Sequence, residues 1–232
     1  YSLRSQKLLF LFSGTLLASF SFFFYHTPRI FVPLLFFSLL LFLFSTLRKY
    51  ASNRYRISLI GSFLFLSILV FILVFFIKGG TGRYSQVNIF NFPETKLVIA
   101  EQIRENGIAG TNNLVTRLFH NKVVNYSFTF VANYFEYFSG SFLFVKGGLP
   151  IWYNVPRMGL IYLVSLPFLV WGVILLAVNK NKIYKIPLIW ILIAPITAAI
   201  TTDDVPNINR AVVMFPMIEI IAAYGFLSFI NK

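Results

Sequence analysis

Long apolar stretches constrain this chain more than any other feature. About 20 such residues, coiled at about 1.5 Å per residue, match a hydrocarbon slab about 30 Å thick. Runs of this kind fall at residues 8–24, 30–47, 57–77, 158–178, 186–200 and 212–230. A soluble core cannot hide them: of 232 residues 58% are hydrophobic and 12% charged, against about 45–50% and about 25% in a globular chain. The expected fold class is all-α, a polytopic helical membrane protein. About six transmembrane helices and a partly helical external segment, near residues 78–157, form one membrane domain. The run at 186–200 is short and carries Pro187 and Pro195, which predicts a tilted helix or one packed inside a bundle.

The net charge of +13 reads first as topology. Short loops rich in Lys and Arg stay cytoplasmic. One side of the six-span arrangement collects Arg4, Lys7, Arg48, Lys49, Arg54, Arg56, Lys180, Lys182, Lys185 and Lys232 with no acid. On the other side the two short loops hold only Arg29 and Arg210 as positive charges, and the remaining Lys and Arg sit in the long segment, which escapes the rule. Both ends of the chain are therefore expected in the cytoplasm, in a cell inner or plasma membrane. The basic excess is explained without a nucleic-acid partner. The chain opens at Tyr1 on a basic segment with no small-x-small cleavage site after Phe24, and is expected to be an internal piece of a longer protein.

Turn clusters at residues 79–82, 106–107 and 147–150 punctuate the external segment. Helical periodicity predicts a short helix over Glu94 to Glu105 and a longer one over Asn112 to Tyr137, with Thr111 or Asn112 as cap. Beyond Tyr126 the aromatic density rises through Phe128, Phe130, Tyr134, Phe135, Tyr137 and Phe138, a composition suited to the headgroup zone.

With no Cys and only His26 and His120, a disulfide framework, thiolate zinc site or cysteine nucleophile is excluded. No metal and no cofactor is expected. Gly79-Gly80-Thr81-Gly82-Arg83 lacks the Gly-Lys-Ser/Thr ending of a phosphate loop and reads as a turn. Polar residues gather instead at the external ends of the spans, where a lipid headgroup would lie. Tyr25, His26 and Arg29 offer a phenol, an imidazole and a cation in one turn, fit for a phosphate or for anchoring at the interface. Lys122 follows His120 and Asn121, with Tyr126 one turn on; it could contact phosphate or sugar, or stand on a solvated face. Arg157 could snorkel or direct its fork to a phosphate. Asp203, Asp204 and Arg210 share a ten-residue loop, where an Asp either pairs with Arg210 or meets a sugar. Glu219, near the middle of the last span, is a functional suspect by its depth alone.

Several of these segments resemble, in the same order, bacterial integral-membrane glycosyltransferases of the protein O-mannosyltransferase and aminoarabinose-transferase type, the family-39-like members of the GT-C class. They are Ser21 to Leu35 around Tyr25-His26-Thr27-Pro28-Arg29; Arg83 to Phe90; His120 to Val124 with Asn133 to Ser139; Asn154 to Tyr162 with Leu166-Pro167-Phe168; and Thr202 to Ala211, followed by Phe215-Pro216 and Ala222 to Gly225. The last loop is similar to a family pattern Thr-x-Asp-x-Pro-His-x-x-Arg-Ala. Asn207 stands where the family often has His, and Glu219 interrupts a span usually apolar there.

The resemblance implies the C-terminal part of a GT-C membrane domain. Such enzymes move a sugar from a polyprenyl-phosphate carrier to a protein, lipid or glycan acceptor on the extracytoplasmic face. It also implies that the essential acid lies upstream of Tyr1, so no catalytic residue is assigned within the chain. The expected donor-phosphate or sugar-binding residues are Tyr25, His26, Arg29, Lys122, Arg157, Asp203, Asp204 and Arg210, with membrane lipids as further partners. A transporter or flippase of lipid-linked sugars is the alternative, since external cations, kinked spans and Glu219 suit it equally.

Overall fold

The computed structural model describes residues 8–75, 89–90, 93–108, 121–155 and 158–231. Among them every regular element is helical. Helices α1 (Leu8–Phe24), α2 (Thr27–Tyr50) and α3 (Asn53–Phe75) are followed by α4 (Pro93–Ile108) and α5 (Lys122–Glu136). A π turn (Ser141–Val145) and two short 3-10 turns then lead to α6 (Leu166–Val178), α7 (Ile186–Ala199), α8 (Ile208–Ala211) and α9 (Phe215–Ile230). Among the described residues four stretches are long and apolar enough to cross a membrane: Thr27–Tyr50, Asn53–Leu73, Lys182–Ala199 and Ile208–Ile230. Leu8–Phe24 and Leu163–Val178 are apolar but shorter.

Two compact units emerge. The first comprises Tyr1–Thr81, Val164–Thr197 and Val212–Lys232; the second comprises Gly82–Leu163 and Ala198–Ala211. In the first, α1 buries Leu11, Thr15, Ser19 and Phe22, a stripe at helical spacing. Its hydroxyls stay satisfied within the helix, Thr15 donating to the Leu11 carbonyl at 2.8 Å and Ser19 to that of Thr15 at 2.8 Å. A second apolar cluster joins Leu43, Leu47 and Ala51 at the end of α2 to Tyr55 at the start of α3.

Helices α6 and α9 meet along a glycine seam. A Cβ on Gly172 would stand 2.1 Å from the Ile221 carbonyl oxygen, and one on Gly225 2.0 Å from that of Phe168. Lipid tails are as apolar as a leucine side chain, so close backbone approach at small residues must supply the contact. Next to the seam, Phe168 meets Phe226 edge-on at 5.0 Å.

The second unit is built on α5. Asn121 caps it, its side chain accepting from the Val124 amide at 2.9 Å. This helix therefore starts nine or ten residues after the predicted caps at 111 and 112, which lie with residues 113–120 outside the described residues. Helix α4, at Pro93–Ile108, matches the shorter predicted helix to within a turn.

The fourth apolar run departs most from expectation. Residues 158–162 are not helical, and α6 starts at Leu166 behind a 3-10 turn at Leu163–Ser165. Here the Ile161 amide donates to the Leu143 carbonyl at 2.8 Å. Gly159 is pressed so closely on the Phe144 backbone that a Cβ would stand 2.2 Å from its carbonyl carbon. A tertiary hydrogen bond has replaced the helix ladder, and Pro167 in the first turn of α6 fits the later start.

Candidate functional site

The sequence-selected residues fall into two separate settings. In the first unit, Arg29 lies in the opening turn of α2, behind Pro28. Its Nε donates to the Phe22 carbonyl at 2.8 Å, which ties it to the end of α1. Its Nη1 lies 3.0 Å from His26 Nδ1. Because guanidinium only donates, His26 must present the Nδ1 lone pair, and its proton sits on Nε2. Burial, and secondarily the Arg29 charge, pull the His26 pKa below 6.5. Tyr25 is exposed and its ring is tilted at 6.3 Å from that of His26, so it does not stack. The turn thus brings His26 and Arg29 together and leaves Tyr25 beside them.

In the second unit, Arg210 anchors the loop from Thr201. Its Nη1 donates to Thr201 Oγ1 at 2.7 Å and to the Asp203 carbonyl at 2.6 Å, and Nη2 lies 3.5 Å from Asp203 Oδ2. The Arg210 side chain is 12% exposed against 43% for Asp203, so the cation is sheltered while its partner faces outward. Of the two neighbouring acids, Asp203 makes the pairing. Asp204 takes a left-handed backbone, φ 50°, at the bend of the loop. Asn207 is 5% exposed, and its side chain accepts from the Arg210 amide at 3.1 Å, which caps α8. That capping use agrees with the absence of a proton-relay His at this position.

Two residues that sequence reasoning did not assign to the site hold this loop in place. Asn133 donates from Nδ2 to the carbonyls of Ala199 at 3.2 Å and Thr201 at 2.9 Å. Tyr137 is fully buried, its hydroxyl accepts from the Asn207 amide at 3.1 Å, and its ring meets Phe142 edge-on at 5.5 Å. This corrects the expectation that Tyr137 serves with its aromatic neighbours in a headgroup-facing band. The i, i+4 spacing of Asn133 on α5 and Tyr137 at its C-cap was the available signal that both face one partner. Leu149 completes the support: its amide donates to the Pro206 carbonyl at 2.7 Å and its carbonyl accepts from Ile208 at 3.0 Å.

Lys122 is exposed at the first position of α5, and Tyr126, one turn on, donates to the Phe90 carbonyl at 3.1 Å. Arg157 and His120 lie outside the described residues. Glu219 stands on the exposed side of α9, opposite the buried Ile218, Ile221, Ala222 and Gly225. The described residues contain no group of three or more His, Cys, Asp or Glu that could hold a metal ion.

No family model, curated protein or solved structure matches the chain. The fold itself defines a class: an all-helical chain, over the described residues, whose four long apolar helices are compatible with a multi-pass membrane protein. Its polar side chains are held in turns at helix ends, with guanidinium groups fixed by backbone carbonyls.

Proposed function

We propose that the chain is part of a membrane glycosyltransferase that takes a sugar from a polyprenyl-phosphate carrier and passes it to an acceptor on the extracytoplasmic face. In this reading α1 and α6 also cross the bilayer, giving six spans with both ends of the chain cytoplasmic. Transfer leaves a phosphate whose developing charge needs preorganised donors at membrane depth, partly shielded from water. The observation that carries the reading is Arg210. Its guanidinium is sheltered and held by Thr201 and Asp203, while its Nε–H takes no partner among the described residues and remains available to an anion. In the other unit, Arg29, fixed on the Phe22 carbonyl, holds a cation next to a neutral imidazole. Asp203 serves here to orient Arg210, and no residue of this chain is assigned as catalytic acid or base.

Transfer of labelled sugar from polyprenyl phosphate, measured in membranes holding the complete protein, tests this. Arg210→Ala should lower transfer by roughly 10², the loss seen when one preorganised donor is removed, and Arg210→Lys should recover part of it. Transfer unchanged in both Arg210→Ala and Arg29→Ala would sink the phosphate assignment.

One observation favours a second reading, transport or flipping of a lipid-linked sugar. Glu219, halfway along the stretch Ile208–Ile230, is exposed and has no partner among the described residues. An ionisable side chain at that depth is costly unless used. If it couples movement to protons, Glu219→Gln abolishes flipping in reconstituted vesicles; normal flipping in that variant removes the reading.

A further inference from the structure

The second unit contains a cavity of about 290 Å³ that none of the preceding argument uses. Buried Phe142 and half-buried Leu149 contribute its apolar lining, and Glu136, Ser141, Lys146 and Asn154 its polar groups. Its frame is rigid. The Lys146 amide donates to the Ser141 carbonyl at 2.7 Å, and the Phe142 amide to Ser139 Oγ at 3.1 Å. Asn154 donates from Nδ2 to the Gly148 carbonyl. At Gly147 the backbone is left-handed, φ 70°, and a Cβ would stand 2.6 Å from Asn154 Oδ1, so only glycine fits. Two opposite charges share this wall: Glu136 Oε1 accepts from Ser139 Oγ at 3.3 Å, and among the described residues Glu136 and Lys146 form no salt bridge, with each other or elsewhere.

The second observation lies directly alongside. Ile151, which also lines the cavity, begins a 3-10 turn in which Ile151 is 73%, Trp152 80% and Tyr153 57% exposed. Three consecutive large side chains held outward are costly in water. Trp and Tyr are at home in the headgroup layer, where one end of the ring is apolar and the other wet. A turn of this composition suits the headgroup layer, and it lies beside the cavity through Ile151.

We propose that the cavity is a binding site for a phospholipid whose headgroup carries both a phosphate and a primary ammonium. Lys146 meets the phosphate, Glu136 accepts from the ammonium, and Ser141 and Asn154 bond the remaining oxygens. The Ile151–Tyr153 turn lies against the glycerol and upper acyl chains. Charge complementarity selects this occupant. A neutral polyol would leave both Glu136 and Lys146 unmatched, and a simple anion would face the Glu136 carboxylate. A quaternary ammonium has no N–H to give that carboxylate, whereas a primary one has three. The volume, near the lower end of the about 300–1,000 Å³ typical of ligand pockets, suits a headgroup rather than a whole lipid. Its polar groups, Glu136, Ser141, Lys146 and Asn154, belong to neither the Arg29 nor the Arg210 setting, although Leu149 and Pro206 connect its frame to the Arg210 loop. The site requires only that the protein sit in a membrane.

Native mass spectrometry of the detergent-solubilised full chain tests the site, with short-chain phosphatidylethanolamine, phosphatidylcholine and phosphatidylglycerol supplied singly. Phosphatidylethanolamine should be retained on the order of tenfold better than the other two, the effect of one charge-assisted hydrogen bond. Lys146→Gln should weaken both phosphatidylethanolamine and phosphatidylglycerol. Glu136→Gln should bring phosphatidylethanolamine down to the phosphatidylcholine level without weakening phosphatidylglycerol. Equal retention of the three lipids, or a preference that survives both substitutions, overturns the proposal. Free phosphoethanolamine bound as tightly as the lipid would assign the cavity to a soluble ligand and overturn it too. Unchanged hydrogen exchange at the Leu149 and Ile208 amides certifies that each variant keeps the frame.

Discussion

Replacing Tyr137 by Phe removes one oxygen from the best-buried point of the second unit. The ring keeps its edge-on contact with Phe142, so packing is conserved and the change isolates the hydrogen bond. What is lost is the acceptor for the Asn207 amide, 3.1 Å away, in a residue only 5% exposed. A buried donor left unsatisfied costs about 1–3 kcal/mol. The cost falls on the loop, because Asn207 both caps α8 and carries the bridge to Leu149. If opening of the loop becomes easier by that amount, amide exchange between residues 200 and 211 should accelerate about 5-fold to about 150-fold. The assay is hydrogen–deuterium exchange by mass spectrometry on the protein in nanodiscs, wild type against Tyr137→Phe. Acceleration confined to these residues, with α6 and α9 unchanged, is the expected result. Loop exchange equal to wild type would refute the claim that Tyr137 holds the Arg210 setting.

Two further predictions concern the first unit. His26 titrates below its usual 6.5 because it is partly buried and then because Arg29 is near, so the unfolded chain takes up its proton first as pH falls. The associated stability is present above pH 6.5 and is lost as pH drops through the lowered folded value. Thermal scans of wild type should show a Tm decline over this window that His26→Gln reduces; identical pH profiles would remove the His26 contribution. Gly225→Leu should lower stability by about 1–3 kcal/mol through overpacking of the α6–α9 seam, read as a drop in the same thermal scan. Gly14→Ala and Gly61→Ala, where nothing lies within 4 Å of the added Cβ, should leave Tm unchanged or raise it. A Gly225→Leu protein as stable as Gly14→Ala would show that the seam carries no close packing.

Hydropathy located α1, α2 and α3 to within a turn or so, because these helices owe their position to apolar length and to local stops such as Pro28. It misplaced the start of the fourth run, because the apolar character of residues 158–162 says nothing of where their amides bond. For Ile161 the partner is Leu143, far earlier along the chain and invisible to a sliding window. The candidate site divided the same way. The cluster Asp203, Asp204 and Arg210 was conspicuous as charge at a helix end, and its ion pair was a natural reading. That Asp203 and not Asp204 would make it depended on a left-handed backbone at Asp204, which the order of residues alone does not fix. Asn133 and Tyr137 were hidden by their surroundings. In a segment dense with Phe and Tyr, one buried tyrosine has no distinguishing mark until its hydroxyl is seen against the Asn207 amide.

The glycine seam bears on biosynthesis. Gly172 and Gly225 interlock two helices that are not neighbours along the chain, with α7 and α8 emerging between them. Synthesis of the intervening stretch, about fifty residues at about 5–20 per second, takes on the order of three to ten seconds. During that interval α6 presents an open groove at Gly172, and its proper filler, α9, is made only after α7 and α8. Quality control of the first unit therefore turns on α9: a ribosome that stops short of it releases a first unit with the groove still uncovered, a signal that membrane proteases and chaperones can read.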